Sequence, residues 1–444
     1  METYLYLLNL TVSGIKNIKE EVRLNFYKKT INKKFNPKKY RIKAIYGENG
    51  SGKSAIITAV KVFQDLIFQE NYLNESKTQI FLDEIINKTT RTFCFSCEYF
   101  FIYGDTKTVY RYATCIGKGK NGQYEIQSEL LQAKSGGYSG SPYQTIYEVQ
   151  NGELIDILCK AKERKFIEKK SFNLLASRSF LHLYAAALND DTLSEISHSE
   201  KLLKHLLFFL IFCTQIKIYL GEEDQHELFF LQKRFKENDL GQQAFMEALL
   251  EQEPHRDIFY SVNEKHIKKD YYEKYQEKVS RLTQFIRIFK SDLISIDIDA
   301  KENGEYYVCE LNLNYGGYRI NKEFESTGIK KLIRLFDCFV SASNGGIVFV
   351  DEMDSNLNDV YLCKLIEYFM YYGKGQLCFT THNLDPMSIL KKNRNSIDFL
   401  SSDNHLVSWT ARGNATPENC YKNGMIEDSP FNIEASDFVG ILGE

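Results

Sequence analysis

An α/β fold built around a largely parallel sheet is predicted by three short stretches, each an apolar run that ends in polar residues suited to handling phosphate. The first runs through residues 40–46, a buried-strand pattern, into Gly47-Glu48-Asn49-Gly50-Ser51-Gly52-Lys53-Ser54. A helix over 54–70 follows, where Ile56, Ile57, Val60, Phe63 and Ile67 recur at helical spacing. The second is Ile347-Val348-Phe349-Val350-Asp351-Glu352, four apolar residues suited to a strand covered on both faces, with two carboxylates at its end. The third, Leu377-Cys378-Phe379-Thr380-Thr381-His382, repeats the design and delivers an imidazole. All three polar tips therefore fall at the carboxyl ends of strands, where open α/β sheets bind ligands.

Strand, glycine loop and helix in that order are the context a phosphate loop requires. Glycines let successive backbone N–H groups converge on a phosphate, an approach that side chains would block. Gly47, Asn49, Gly50, Ser51, Gly52, Lys53, Ser54 and Ala55 are thus the candidate ATP-binding residues. Lys53 stands where a cation meets the β- and γ-phosphates, Ser54 where a hydroxyl meets Mg²⁺, and the new helix offers its positive end to the anion. Asp351 is the second candidate Mg²⁺ ligand, direct or through water, and Glu352 the candidate general base for the water that attacks the γ-phosphate. His382 is placed to sense that phosphate and orient the water. Alone, an acidic pair at a strand end is more simply a solvated terminus, and an isolated histidine is more often structural. A phosphate loop in the same chain gives both a role. No Asn-Lys-x-Asp follows a late strand, which argues against GTP.

The order of these parts resembles the ABC-type ATPase heads of the Rad50, SMC and RecF kind. Between the halves stands Phe324-Glu325-Ser326-Thr327-Gly328-Ile329-Lys330-Lys331-Leu332, which is similar to a divergent ABC signature, with Thr327 and Ile329 replacing the usual glycine and glutamine. Met353-Asp354-Ser355-Asn356-Leu357 is similar to the D-loop of that family. The resemblance implies that Ser326 and Gly328 contact the γ-phosphate held by the opposite subunit, so that two heads sandwich two ATP molecules. The same Ser326 also suits a helix N-cap before 329–340, and both roles are compatible. Gln79 is the nearest candidate for a Q-loop. Nothing is long enough for an SMC-type arm, and the whole chain resembles the ATP-binding proteins of bacterial anti-phage systems such as PARIS, Septu and abortive-infection systems. The implied fold is an ABC-ATPase head, a P-loop NTPase with a mixed sheet and an antiparallel β arm, carrying a helical insertion. The implied partners are a second copy or higher homo-oligomer, a separate effector of nuclease type, and a phage protein as trigger.

The organisation along the chain fits. Residues 1–158 read as an N-terminal nucleotide-binding lobe: its first 70 residues are strands closing on the first nucleotide half, opened by a strand over 4–18, and an antiparallel arm follows with strands over 92–102, 109–116 and 123–129. Residues 159–292 read as a helical insertion, with helices over 201–219, 227–236, 241–251 and 268–290, and 293–444 as the C-terminal nucleotide-binding lobe. Only some 60 residues follow His382, too few for a Toprim nuclease domain, so any toxic activity is expected on another polypeptide. With 43% apolar and 14% aromatic residues, disorder is excluded as the general state. The ten cysteines sit mostly in apolar segments and read as reduced core residues; Cys94 and Cys97 would face opposite ways on a strand, against a zinc site. The opening Met1-Glu2-Thr3 has no basic n-region and no run is long enough to cross a bilayer, so a cytoplasmic protein is expected.

A net charge of −3 implies no global attraction to nucleic acid. A basic run is nevertheless present: Lys28, Lys29, Lys33, Lys34, Lys38, Lys39, Arg41 and Lys43, with a second patch over 160–170. A solvated loop is the simpler reading, and a contact for DNA, RNA or an acidic partner the functional one. Two hypotheses follow: an ATP-driven switch in a defence complex, and a DNA-repair head acting on DNA ends.

Overall fold

The computed structural model describes residues 3–27, 31, 35–36, 40–137, 140–188, 200–221, 260–393, 395–410, 415–429 and 441, and among these residues three β-sheets and the helices packed on them make up the fold. The central sheet contains β3 (Ile42–Tyr46), β9 (Ile216–Tyr219), β14 (Ile347–Val350), β15 (Gln376–Thr380), β16 (Ile397–Leu400) and β17 (Leu406–Ser408). Their spatial order is β17-β16-β3-β15-β14-β9, parallel throughout except at the β16–β17 edge. Every residue of β3, β14, β15 and β16 is buried, as two covered faces require. Successive strand residues point to opposite faces. Ile347 and Phe349 accordingly share a core with helix α1 (Lys53–Phe68), while Val348 and Val350 share one with α7 (Thr327–Asn344) and α8 (Asp359–Tyr371).

The second sheet is an antiparallel arm of β1 (Thr3–Ser13), β2 (Val22–Asn25), β4 (Thr92–Tyr103), β5 (Thr106–Lys118), β6 (Tyr124–Ser135), β7 (Gln144–Gln150) and β8 (Glu153–Ile157), in the order β2-β1-β4-β5-β6-β7-β8. The opening strands thus belong to the arm and not to the nucleotide half, and β1 stops at Ser13, where Ile15 and Ile18 exchange backbone bonds of 3.0 and 2.8 Å and turn the chain. Aromatic stacking fixes the arm on its helices: Phe95 lies 4.6 Å from Phe63 of α1, and Tyr99 lies 3.9 Å from Phe212 of α5 (Glu200–Gln215). Gln376, almost wholly buried at the start of β15, exchanges two bonds with the Leu7 backbone (2.6 and 2.9 Å) and ties the arm to the central sheet.

Two expectations change here. The helix expected over 201–219 ends at Gln215, and Ile216-Lys217-Ile218-Tyr219 continues as β9, paired with β14; the β-branched alternation outweighs the preceding helical period. The inserted segment therefore supplies an edge strand to the central sheet, while the helices expected over 227–236 and 241–251 lie outside the described residues. Cys94 and Cys97 do face opposite ways on β4, but Cys94 is joined to Cys115 by a disulfide. The two are directly opposed in the β4–β5 register with Cα atoms 4.2 Å apart, so this pair departs from the all-reduced expectation. The other eight cysteines are free.

The third sheet, β10 (His266–Lys268), β11 (Ser295–Asn303), β12 (Tyr306–Asn314) and β13 (Arg319–Asn321), packs with α6 (Tyr272–Phe289). Helix α7 serves two cores at once. Leu335, Cys338 and Phe339 face the central sheet, whereas Ile329, Leu332, Ile333 and Phe336 face the third sheet. Among the described residues no helix is long and apolar enough to cross a membrane.

Fully buried Glu129 on β6 holds the start of α4 (Phe180–Leu188). Its carboxylate accepts from Ser179 Oγ (2.6 Å), Phe180 N (2.8 Å), Tyr147 OH (3.0 Å) and Tyr112 OH (3.2 Å). Burial raises its pKa above the ordinary carboxylate value against the pull of these donors. The folded state then holds the proton more tightly than the unfolded one. This stabilising contribution is fully present below the ordinary value and is lost as pH rises through the raised one. Glu129→Gln, which turns an amide N–H toward one of the donors, is expected to cost about 1–3 kcal/mol and to flatten that pH dependence in denaturant unfolding.

Candidate functional site

The loop Gly47–Gly52 joins β3 to α1. Gly47 has φ +156°, and a Cβ there would stand 2.4 Å from Leu400 O and 2.7 Å from Ser51 Oγ, so both backbone angle and space demand glycine. Asn49 and Gly50 form the exposed tip, held from below by Asn17, whose side-chain amide donates to Gly50 O. Ser51 Oγ is buried with no partner among the described residues. Lys53, at the start of α1, bridges the loop by donating to Gly47 O (2.9 Å) and Glu48 O (2.8 Å). Ser54 and Ala55 follow in the first turn, Ser54 partly exposed and Ala55 buried.

The two carboxylates at the end of β14 have different surroundings. Asp351 is 3% exposed; its N–H donates to Tyr219 O (2.8 Å) and its Oδ1 accepts from Thr380 Oγ1 (2.5 Å). Glu352 is exposed, with a left-handed φ of +46°, and its N–H donates to the same Thr380 Oγ1 (2.7 Å). Thr380 is therefore a site residue that reading the sequence missed. It stands at the end of an apolar strand, and its local signal is a hydroxyl residue immediately before Thr381-His382. Asp354 Oδ2 accepts from His382 N (3.3 Å), while its Oδ1 is buried without a partner among the described residues.

Electrostatics joins these groups. Burial lowers the Lys53 pKa from the ordinary lysine value, against the opposing pull of Asp351, Glu352, Asp354 and Glu48. Burial and then the Lys53 charge lower the pKa of His382, again opposed by Asp354, Glu352 and Asp351, which favours the uncharged imidazole. Lys53, Asp351, Glu352 and His382 thus converge at the carboxyl ends of three adjacent strands, β3, β15 and β14.

No protein-family model matches the chain, and no curated protein does.

Ser326 and Gly328 lie elsewhere. They share no hydrogen bond with the loop among the described residues, and instead abut the turn after the carboxylates: a Cβ on Gly328 would stand 2.6 Å from Asn356 O. Ser326 occupies the N-cap position of α7, yet its side chain makes no cap bond and is exposed. Gln79 is turned away from this region: its amide bonds Leu73 O (2.6 Å), Tyr124 O (3.1 Å) and Tyr124 N (2.7 Å), clamping α2 (Ser76–Ile85) to the arm. It is a structural clamp.

Of the basic run, Lys28, Lys29, Lys33, Lys34, Lys38 and Lys39 lie outside the described residues. Lys43 is overturned as a phosphate contact: it sits inside the parallel sheet, 0% exposed, paired at 2.8 Å with equally buried Asp398. The patch over 160–170 forms α3 (Ala161–Ser171), where Arg164 pairs with Glu168 (2.7 Å) and Glu163 accepts from Tyr184 OH of α4 (3.3 Å).

Among the described residues no group of three or more His, Cys, Asp or Glu side chains gathers to hold a metal. Mg²⁺ at nucleotide sites takes only one or two protein oxygens and fills the rest of its shell with phosphate and water. The hydroxyl and carboxylate of Ser54 and Asp351 are hard oxygen donors of that kind. The orphaned Ser51 Oγ and Asp354 Oδ1 are polar atoms that an arriving ligand with its water would satisfy.

Proposed function

We propose that this chain binds and hydrolyses Mg²⁺·ATP as an ABC-type ATPase head, with Gly47, Asn49, Gly50, Ser51, Gly52, Lys53, Ser54 and Ala55 cradling the triphosphate. What supports this is the convergence of Lys53, Asp351, Glu352 and His382 at three neighbouring strand ends. Lys53 exchanges its two loop carbonyls for phosphate oxygens. Ser54 and Asp351 would hold Mg²⁺, which would supply charge neutralisation to the bound triphosphate. Exposed Glu352 takes the proton of the attacking water, and neutral His382 orients that water by accepting a hydrogen bond.

In this reading two copies pair head to head, each presenting Ser326 and Gly328 to the nucleotide of the other. The exposed, uncapped Ser326 hydroxyl favours an acceptor outside its own chain. The cycle serves as the switch of a bacterial anti-phage defence complex that holds a separate effector, a nuclease by resemblance, released by a phage-encoded trigger. The second reading, a DNA-repair head, would rest on the basic run; Lys43 does not serve it, being engaged by Asp398, and Lys28, Lys29, Lys33, Lys34, Lys38 and Lys39 lie outside the described residues.

Calorimetric titration of ATP with Mg²⁺ tests the proposal. Wild-type protein is expected to bind, and Lys53→Ala to bind at least about tenfold more weakly, a loss of about 1.4 kcal/mol or more. A wild-type chain with no affinity for ATP in Mg²⁺ ends it.

A further inference from the structure

Lys331 stands one turn into α7, just after the Ser326–Gly328 turn, and is 4% exposed. Its ammonium donates to Glu352 O (2.5 Å), Ser355 O (2.7 Å) and Ser355 Oγ (2.5 Å). Three N–H donors meet three acceptors, and none of these is a carboxylate. Burying an ammonium is costly, and an apolar side chain of that length fills the same space without the cost. The charge is therefore explained by what it holds.

What it holds is the turn that carries the candidate base. Glu352 has a left-handed φ of +46°, a conformation disfavoured outside glycine. A bond to its carbonyl fixes the peptide that follows, and with it the direction of the Glu352 side chain. The same turn packs against the start of α7: Gly328 has no room for a Cβ against Asn356 O, and Thr327 Oγ1 lies 3.4 Å from Asn356 Oδ1. The charged groups facing Lys331 are Asp354, Glu352 and Asp351, with the Tyr219 ring of β9 at 5.9 Å.

We propose that Lys331 is a positioning residue that locks the Glu352 turn to the Ser326–Gly328 turn of the same chain, so that the two move as one body. The inference rests on the ATPase reading and deepens it. In a head pair Glu352 serves the chain's own nucleotide and Ser326 serves the partner's, so Lys331 makes the geometry of one site depend on the other.

Steady-state ATP hydrolysis by the full chain tests this with Lys331→Met and Ser355→Ala. The first is expected to lower kcat about tenfold or more with KM for ATP within about threefold of wild type, and the second to lower kcat about two- to threefold with KM unchanged. A general loss of fold lowers the active fraction and the melting temperature together, whereas misplacement of the base splits kcat from KM at unchanged melting temperature. Turnover within about twofold of wild type in a folded Lys331→Met overturns the inference. Should that variant not fold, an unaltered kcat in Ser355→Ala overturns it. A wild-type chain that neither binds nor turns over ATP removes the ATPase reading first and takes the inference with it; an active wild type with unaffected variants removes the inference alone.

Discussion

Glu352→Gln is expected to lower ATP turnover by about 10²–10⁴-fold while leaving nucleotide affinity intact. Glutamine has the shape of glutamate and keeps the backbone bond from residue 352 to Thr380 Oγ1, so the turn survives and only proton acceptance is lost. The assignment of this role to Glu352 over its neighbour follows from their surroundings. Asp351 is buried and has one oxygen committed to Thr380, which suits a fixed ligand, whereas Glu352 is exposed and its carboxylate is free to meet a water. A chain that binds ATP but cannot cleave it should accumulate as the paired form. Size-exclusion elution with and without Mg²⁺·ATP reads this directly: the variant is expected to elute earlier with nucleotide. Unchanged turnover would remove the base from Glu352, and an elution volume indifferent to nucleotide would count against head pairing.

Asp398→Ala is expected to destabilise the fold by about 3–5 kcal/mol, because it leaves the Lys43 ammonium buried and unpaired between β3 and β16. Both side chains are 0% exposed, and Ser408 Oγ donates to the other Asp398 oxygen, so the pair is enclosed by protein. Removing both charges together, as Lys43→Met with Asp398→Leu, is expected to recover most of that loss, since well-packed apolar residues avoid the desolvation of two ions. Denaturant midpoints of the single and double variants measure the difference. A single variant that loses less than about 1 kcal/mol would mean that the charge escapes to solvent. The pair also bears on the site: β16 ends at Leu400, whose carbonyl packs against Gly47, so loosening β16 loosens the phosphate-side loop.

Much of the central sheet was legible because its strands are short, largely apolar and punctuated by polar tips; 347–350 and 376–380 fall where the pattern places them. The loop and both carboxylates were legible for the same reason, as glycine spacing and adjacent acids are local signals. Non-local features were not. Lys43 reads as one more cation in a basic run, and only the pairing of β3 with β16 brings Asp398 to it from residue 398. Likewise Ile216–Tyr219 is four residues long and follows an apolar helix without a break, so its strand character emerges only beside β14. Lys331 follows Lys330 within the signature-like stretch, and no local pattern marks it as buried. Its burial depends on the turn at Glu352–Ser355, which is adjacent in space and not in sequence.

The position of β3 has a consequence for biosynthesis. Its neighbours in the sheet are β15 and β16, which begin at residues 376 and 397. By contrast, strands β4 to β8 are consecutive and pair in chain order. During translation the arm can close on itself early, while β3 waits for residues 376 to 400 to leave the ribosome. A chain stalled before residue 376 would thus carry the complete glycine loop on a strand that lacks both of its sheet neighbours.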